Sequence, residues 1–477
     1  MTDSSREPTW VGQLEKELSS STAKILKPGT EGYDESLKRF NGAIEKRAPA
    51  VVMVKSDEDI ATTVKFAVSN EVLLVVKGGG HTISGGSSTD EGIVVDLSQM
   101  RGVQINKETR EIVAQGGCLW EDVDVAAAAE GLVTVGGTVN HTGIGGLTLG
   151  GGYGYLSGLY GLTIDNLLRV KIVLADGSCL VASETENPDL FWAVRGAGRG
   201  FGVVTEFVFR AHPAPASVWA GMLGFTMDKL HALIAAFNEV AGREDPRACL
   251  SFGFATPPGS NVVMPLALPV YFGTEEESKA FFAPFFALEP TMNSTAVLPS
   301  YTAVNSLLNP MAKHGGRKNG GGSNFTLPLN ADKVSDIFQD FNRFVLANQG
   351  SIEAVFIFEA WPNNKIREVS NEAMAFSNRG AYHNVATSMK WEDPALDDEF
   401  REFNRNFLKK IGREMGIDGA ASGQKGEGSG IYANSATAEY TPQEIYGRNS
   451  TKLKVLKKKY DPGNIFSPAK MVSLTHM

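Results

Sequence analysis

The sequence predicts an α+β protein in two unlike parts, on three observations. Between about residues 45 and 213, short apolar runs of strand length alternate with helical stretches. Four tight glycine clusters fall in that same interval. After Pro213 the clusters largely stop, and longer helical periods with apolar strands between them take over.

Residues 1–35 are polar and read as helical or loosely attached. APAVVMVKS (48–56) is a short buried strand, and DEDIATTVKFAVSN (57–70) an amphipathic helix with an aspartate at its start. VLLVV (72–76) is a strand running straight into KGGGHTISGGSS (77–88), and GIVVDLS and REIVAQGG are two further strands. LWEDVDVAAAAEGL (119–132) is an alanine-rich helix closed by glycine. RVKIVLADGSCLVAS (169–183) is a hairpin turning at Asp176-Gly177. DLFWAVRGAGRGFGVVTEFVFRAHP (189–213) carries the last glycine loop into a strand. Beyond it, 333–348 and 393–416 read as helices and 354–361 as a strand, while GGRKNGGGSN (315–324) reads as a mobile surface loop or a lid. The last segment, from Ile431, reads as a strand, a helix and a proline turn.

A net charge of -9 does not suit a phosphate-neutralising surface, which argues against nucleic acid as a partner. The N-terminal residues have no apolar signal region, and no apolar run reaches membrane-spanning length. Cys118, Cys179 and Cys249 are odd in number and widely spaced, so neither a disulfide framework nor a zinc site is expected. These features together predict a cytoplasmic protein with no membrane and no metal.

Glycine loops after strands let backbone N–H groups approach phosphate. The clusters here are Lys77-Gly78-Gly79-Gly80-His81, Gly143-Ile144-Gly145-Gly146, Gly150-Gly151-Gly152-Tyr153-Gly154 and Gly196-Ala197-Gly198-Arg199-Gly200-Phe201-Gly202. Neither a Walker motif nor a strict G-x-G-x-x-G is present, so a different cradle for a nucleotide is required, and a nicotinamide-dependent dehydrogenase is disfavoured.

In order, VVKGGGHTISGGSS, GGTVNHTGIGGLTLGGGYGYLSGLYGLTIDNL, DLFWAVRGAGRGFGVVTEF and the C-terminal YG-x-N with KKKYDPGNIF resemble the FAD-linked oxidases of the vanillyl alcohol oxidase / p-cresol methylhydroxylase fold, in its berberine-bridge-enzyme-like branch. The resemblance implies a two-part FAD-binding domain, residues 1–213 and 430–477, with an inserted α+β substrate domain at 214–429. It implies FAD held by Lys77, Gly78, Gly79, Gly80, Thr82 and Gly85, by Thr138, Val139, His141, Thr142, Gly143, Gly145, Gly146 and Gly152, and by Val203, Val204, Asn434 and Asn464, with a covalent bond through His81. Many relatives add a cysteinyl link, but Val139 stands at that position, so a single tether is expected and an oligosaccharide oxidase is a weaker reading.

Two residues are candidates for the catalytic base. His141 has the ordinary pKa range for proton transfer, or it fixes its loop. Tyr432 shares a strand face with Asn434 if YAN is extended, and would act as base if nearby cations lowered its pKa. In YHNVATSMKW (382–391) the position that carries an acid or amide in plant relatives reads Ala386, with Asn384 beside it, so the proton acceptor must lie elsewhere. Glu359, Arg379 and His383 read as salt-bridge or core hydrogen-bond partners, and Lys457-Lys458-Lys459 as a solvated helix end. The expected activity is oxidation of a C–H bond next to O or N of a small organic molecule, with hydride passing to the flavin and O2 as acceptor, in secondary metabolism. A flavin-containing isomerase or cyclase without net redox change stays open as the alternative.

Overall fold

The computed structural model describes residues 8–256, 262–417, 428–436 and 440–466. The extreme N-terminus and the tail after Phe466, both included in the expected FAD-binding segments, lie outside the described residues.

The first sheet runs Lys24–Leu26, Ala50–Met53, Ile93–Asp96, Leu74–Lys77, the last three strands parallel. Their Val/Ile/Leu runs are buried on both faces, as a covered parallel sheet requires. The helix Asp57–Ser69 is capped by Ser56, whose hydroxyl accepts from the Asp59 amide while the Asp59 carboxylate accepts from the Ser56 amide. The expected aspartate start is thus the first turn, one residue inside the cap.

The second sheet is antiparallel, in the order Val103–Asn106, Glu111–Gln115, Val203–Arg210, Leu167–Val173, Cys179–Ser183. Its outer hairpin turns at Gly177 with φ 76°, the left-handed conformation the Asp-Gly pair announced. Trp120, Phe191 and Phe207 fill the core beside it. The helix Trp120–Ala129 ends just before Gly131, φ 69°.

The third sheet, here the roof, has nine strands. Its central run is Met264–Tyr271, Ala248–Ala255, Glu353–Ala360, His383–Trp391, Arg317–Phe325, all antiparallel. Phe356, Phe358, Val385 and Met389 point into a core with the helices Ala331–Ala347 and Asp397–Met415. The alternate residues Ile357, Glu359, Asn384 and Ala386 therefore face the other way.

Three expectations are corrected here. The segment read as a surface loop is the strand Arg317–Phe325, paired along its whole length with His383–Trp391. Its glycines hid the period-2 pattern because they serve close approach: a Cβ on Gly320 would stand 3.0 Å from Ile83 Cδ1, and one on Gly322 2.8 Å from Ser435 Cβ. Residues 431–436 form a turn, not a strand, so Tyr432 and Asn434 converge by turning rather than by alternation. Lys457 is 1% exposed, its ammonium 2.6 Å from Asp461 and 2.6 Å from the Gly200 carbonyl, so that lysine run is only partly solvated. The helices Pro442–Tyr446 and Asn449–Tyr460 pack Ile445, Leu453 and Leu456 into the second sheet's core. Arg379 is the buried partner the sequence expected, its guanidinium 2.5 Å from Asp165. Among the described residues no helix is long and apolar enough to cross a membrane.

Candidate active site

The glycine clusters come together beneath the roof in one cradle, and most of their glycines are there for chain-to-chain contact. A Cβ on Gly79 would collide with the Gly143 backbone, one on Gly143 with Gly79, and one on Gly154 with the Gly136 carbonyl. Gly152, φ 87°, would collide with Thr163. Gly146 differs: nothing lies within 4 Å of a Cβ placed there, and it is exposed. Within the glycine-rich segments the hydroxyls of Ser87, Ser88 and Thr148 are buried without a partner. Buried hydroxyls are nearly always satisfied, so three left without a partner in these loops fit a segment that meets a polar ligand such as a dinucleotide.

Other expected contacts are placed as follows. Lys77 is committed to Asp96 at 2.8 Å, with the carboxylate fully buried. The Thr82 and Ser84 hydroxyls are 3.1 Å apart, and Gly85, φ 88°, faces Ile44. Thr138 is half-buried, the Val139 carbonyl accepts from the Thr142 amide at 3.1 Å, and Gly145 packs near Phe207. Gly78 lies against the Gly116 carbonyl and Gly80 has φ 66°. Val203 and Val204 are buried in their strand. Asn464 takes φ 55° and its amide donates to the Asp461 carbonyl at 3.0 Å.

At the end of the first loop His81 stacks on Phe40, ring centroids 4.0 Å apart. Its Nε2 is 3.1 Å from His141 Nδ1, so one of the two nitrogens carries the shared proton. His314 comes from the roof side, 4.8 Å from the His141 ring and 5.7 Å from His81. Lys318 lies over Phe40, its ammonium donating to the Phe40 carbonyl at 2.8 Å and also to Gly315. Burial, reinforced by the neighbouring histidines, pushes His81 down to about 3; burial also lowers His141 and His314. Lys318 is brought to about 8 by burial and then by Lys390. The histidine cluster is therefore neutral at pH 7. Among the described residues no group of three or more His, Cys, Asp or Glu could hold a metal.

The second candidate base stands in a separate cluster. Tyr432 Oη accepts from the Gly152 amide at 3.2 Å and from Asn434 Nδ2 at 2.6 Å. Asn434 also donates to the Leu147 carbonyl at 2.9 Å and accepts from Arg199, which donates to the Gly146 carbonyl at 2.6 Å. Burial raises the Tyr432 pKa and outweighs the opposing pull of Asn434, Gly152 and Arg199, so the lowering expected from nearby cations does not occur. Tyr153 meets Tyr432 edge-on at 4.9 Å and also walls a cavity with Glu359, Trp361, Tyr382, His383 and Asn384. Glu359 was read as a salt-bridge or hydrogen-bond partner; among the described residues its carboxylate has no such partner, and burial pushes it up to about 7.

Sequence reasoning missed Arg199, Tyr153, His314 and Lys318. The first two lie inside glycine clusters that were read for their glycines alone. Of the other two, His314 immediately precedes the segment misread as a loop and Lys318 lies inside it.

Two stretches match family models: an FAD binding domain over residues 48–183, and the berberine and berberine-like family over 431–471. Along nearly its full length the chain is 32% identical to the FAD-linked oxidoreductase pgmH of Aspergillus terreus, covering 96% of this chain and 94% of that one. It is 30% identical to the FAD-linked oxidoreductase hasG of Aspergillus fumigatus, covering 93% and 95%. The chain belongs to the berberine-bridge-like FAD-linked oxidoreductases. Among solved structures, 6-hydroxy-D-nicotine oxidase from Arthrobacter nicotinovorans superposes with a TM-score of 0.81 at 25% identity over 93% of this chain and 96% of that one. The Physcomitrella patens BBE-like 1 protein superposes at 0.84, with 23% identity, over 97% and 100%. Glucooligosaccharide oxidase from Acremonium strictum, described as carrying a 6-S-cysteinyl, 8α-N1-histidyl FAD, superposes at 0.80 with 22% identity over 97% and 99%. The cofactor of this family is FAD, and the glycine loops fit it: the exposed backbone at Gly146 and the partnerless hydroxyls of Ser87, Ser88 and Thr148 are groups that a dinucleotide could meet.

Proposed function

We propose that this oxidoreductase oxidises a C–H bond next to O or N of a small organic molecule, using FAD tethered through His81 alone. Residues 1–213 and 430–477 hold the cofactor, and 214–429 present the substrate to it. O2 is the final electron acceptor, and the role is a tailoring step in secondary metabolism. The observation that carries the reading is the neutral His81 at the end of the first glycine loop, held by Phe40 and His141. An unprotonated imidazole is nucleophilic, as a histidyl tether requires. Val139 stands where a second, cysteinyl link would need a thiol. Bound FAD supplies the hydride acceptor. The chain's own residues orient: Arg199 and Asn434 brace the cradle rim, and Tyr432 and Tyr153 line the side of the cradle that meets the cavity.

The test is a spectrum of the purified protein before and after acid precipitation. Flavin absorbance is expected to stay with the pellet in the wild type and to leave it in His81→Ala. Flavin released by acid from the wild type would remove the tether; a colourless protein would remove the cofactor assignment.

A further inference from the structure

Where plant relatives carry an acid or amide, this chain has Ala386, and the roof places a carboxylate on the next strand instead. Ile357 is paired with Ala386 and Glu359 with Asn384. Directly opposed residues of antiparallel strands share a face, so all four point the same way and Glu359 is diagonal to Ala386. That face looks toward the cradle, because the flanking Phe356, Phe358 and Val385 fill the helix-side core, and Gly322, paired with Ala386, abuts Ser435 in the tail turn. Glu359 thus opens into a cavity whose other walls are Tyr153, Trp361, Tyr382, His383 and Asn384. Tyr153 joins that cavity to the cradle, since it follows Gly152 in the chain and touches Tyr432.

A carboxylate turned into a cavity and left without a hydrogen bond or ion pair is costly unless something arrives to meet it. Neighbouring polar groups do not serve. His383 is held neutral by burial, its pKa about 4, and donates no charge. Tyr155 and Cys249 feel Glu359 as a neighbouring charge and are themselves kept protonated by burial. Tyr153 is kept protonated in the same way, and its hydroxyl is committed to the Asn378 carbonyl at 3.1 Å. Tyr382 donates to Asn378 Oδ1 at 2.7 Å, and Arg379 is tied to Asp165.

The geometry points to Glu359 as the group that anchors the substrate's O–H or N–H donor and takes its proton, and the aromatic side chains beside it suit a one-ring aromatic alcohol or amine. This rests on the oxidative function proposed above. The substrate's C–H bond breaks with its electron pair, which passes to the FAD of this family. The O–H or N–H bond breaks as a proton, which Glu359 receives. A C=O or C=N bond forms in their place, so two electrons and two hydrogens leave the substrate. Tyr153, Trp361 and Tyr382 supply aromatic surface for the ring.

The flavin of the holoenzyme reports the outcome, with anaerobic benzyl alcohol and benzylamine as probes and toluene as the donor-free control. Both donor probes should perturb the flavin spectrum saturably and then bleach it, binding about tenfold or more tighter than toluene, the fold-change that one hydrogen bond to a charged group supplies. Bleaching should speed up as pH rises through about 7, where Glu359 ionises. In Glu359→Gln the preference over toluene and the pH limb should both disappear while the flavin content and its resting spectrum stay unchanged. Glu359→Asp should keep the limb with slower bleaching. Equal binding of all three probes, a Glu359→Gln variant with the wild-type limb, or an unresponsive spectrum in flavin-loaded protein would each overturn the assignment. Protein that carries no flavin would break the preceding reading instead.

Discussion

Cradle and roof both use runs of glycine, and they use them in opposite ways. In the cradle, Gly79 against Gly143 and Gly154 against Gly136 let loops interlock, and the lining they form leaves an opening at Gly146. In the roof, Gly320 and Gly322 sit within one strand and let a whole sheet lie down on Ile83 and Ser435, while Gly321 between them admits Leu408 from the helix side. A glycine cluster therefore signals that something approaches the backbone closely, without saying whether it is a ligand, a loop or a sheet.

The largest effect expected belongs to the join between the two regions. Arg379, from the chain between two roof strands, is fully buried against Asp165 beside the cradle. Arg379→Met leaves that carboxylate unpaired in the interior and should cost about 3–5 kcal/mol in urea unfolding. A loss under about 1 kcal/mol, the range of exposed pairs, would mean the join is solvated. Next comes the contrast among cradle glycines. Gly154→Ala should destabilise by about 1–3 kcal/mol, because its Cβ meets the Gly136 carbonyl, whereas Gly146→Ala should stay within about 0.5 kcal/mol. Similar values for both would erase the distinction between packing glycines and the open one. The smallest effect is on acid stability. His383 in the roof has a folded pKa near 4, below the ordinary 6.5 of the unfolded chain. From about pH 6.5 down to about 4 the unfolded chain binds that proton and the folded one does not, so stability falls as pH falls. The melting temperature of His383→Gln should drop less than the wild type's across that window; parallel curves would place His383 in solvent.

The same contrast explains what could be read in advance. Strands such as Ile93–Asp96 and helices such as Asp57–Ser69 were legible because their apolar runs and the acidic start of the helix are local. The cradle loops were legible through their glycine punctuation, whereas His81 was singled out by the family resemblance. The strand Arg317–Phe325 was not, since an Arg-Lys-Asn-Gly-Gly-Gly run has neither apolar alternation nor β-branched residues, and only its pairing with His383–Trp391 makes it a strand. Tyr432 and Asn434 were rightly paired for the wrong reason, a turn having been taken for a strand. Glu359 looked like an ordinary partner because a carboxylate's want of a partner cannot be seen in one dimension.

The cradle's last wall is supplied by distant chain. Tyr432 Oη meets the Gly152 amide across 280 residues of sequence, and Asn434 meets the Leu147 carbonyl across 287. During synthesis every glycine cluster leaves the ribosome long before the turn that closes over them. A truncation after residue 430 would thus keep each glycine motif of the gene while deleting the turn whose Tyr432 and Asn434 close over Gly152 and Leu147.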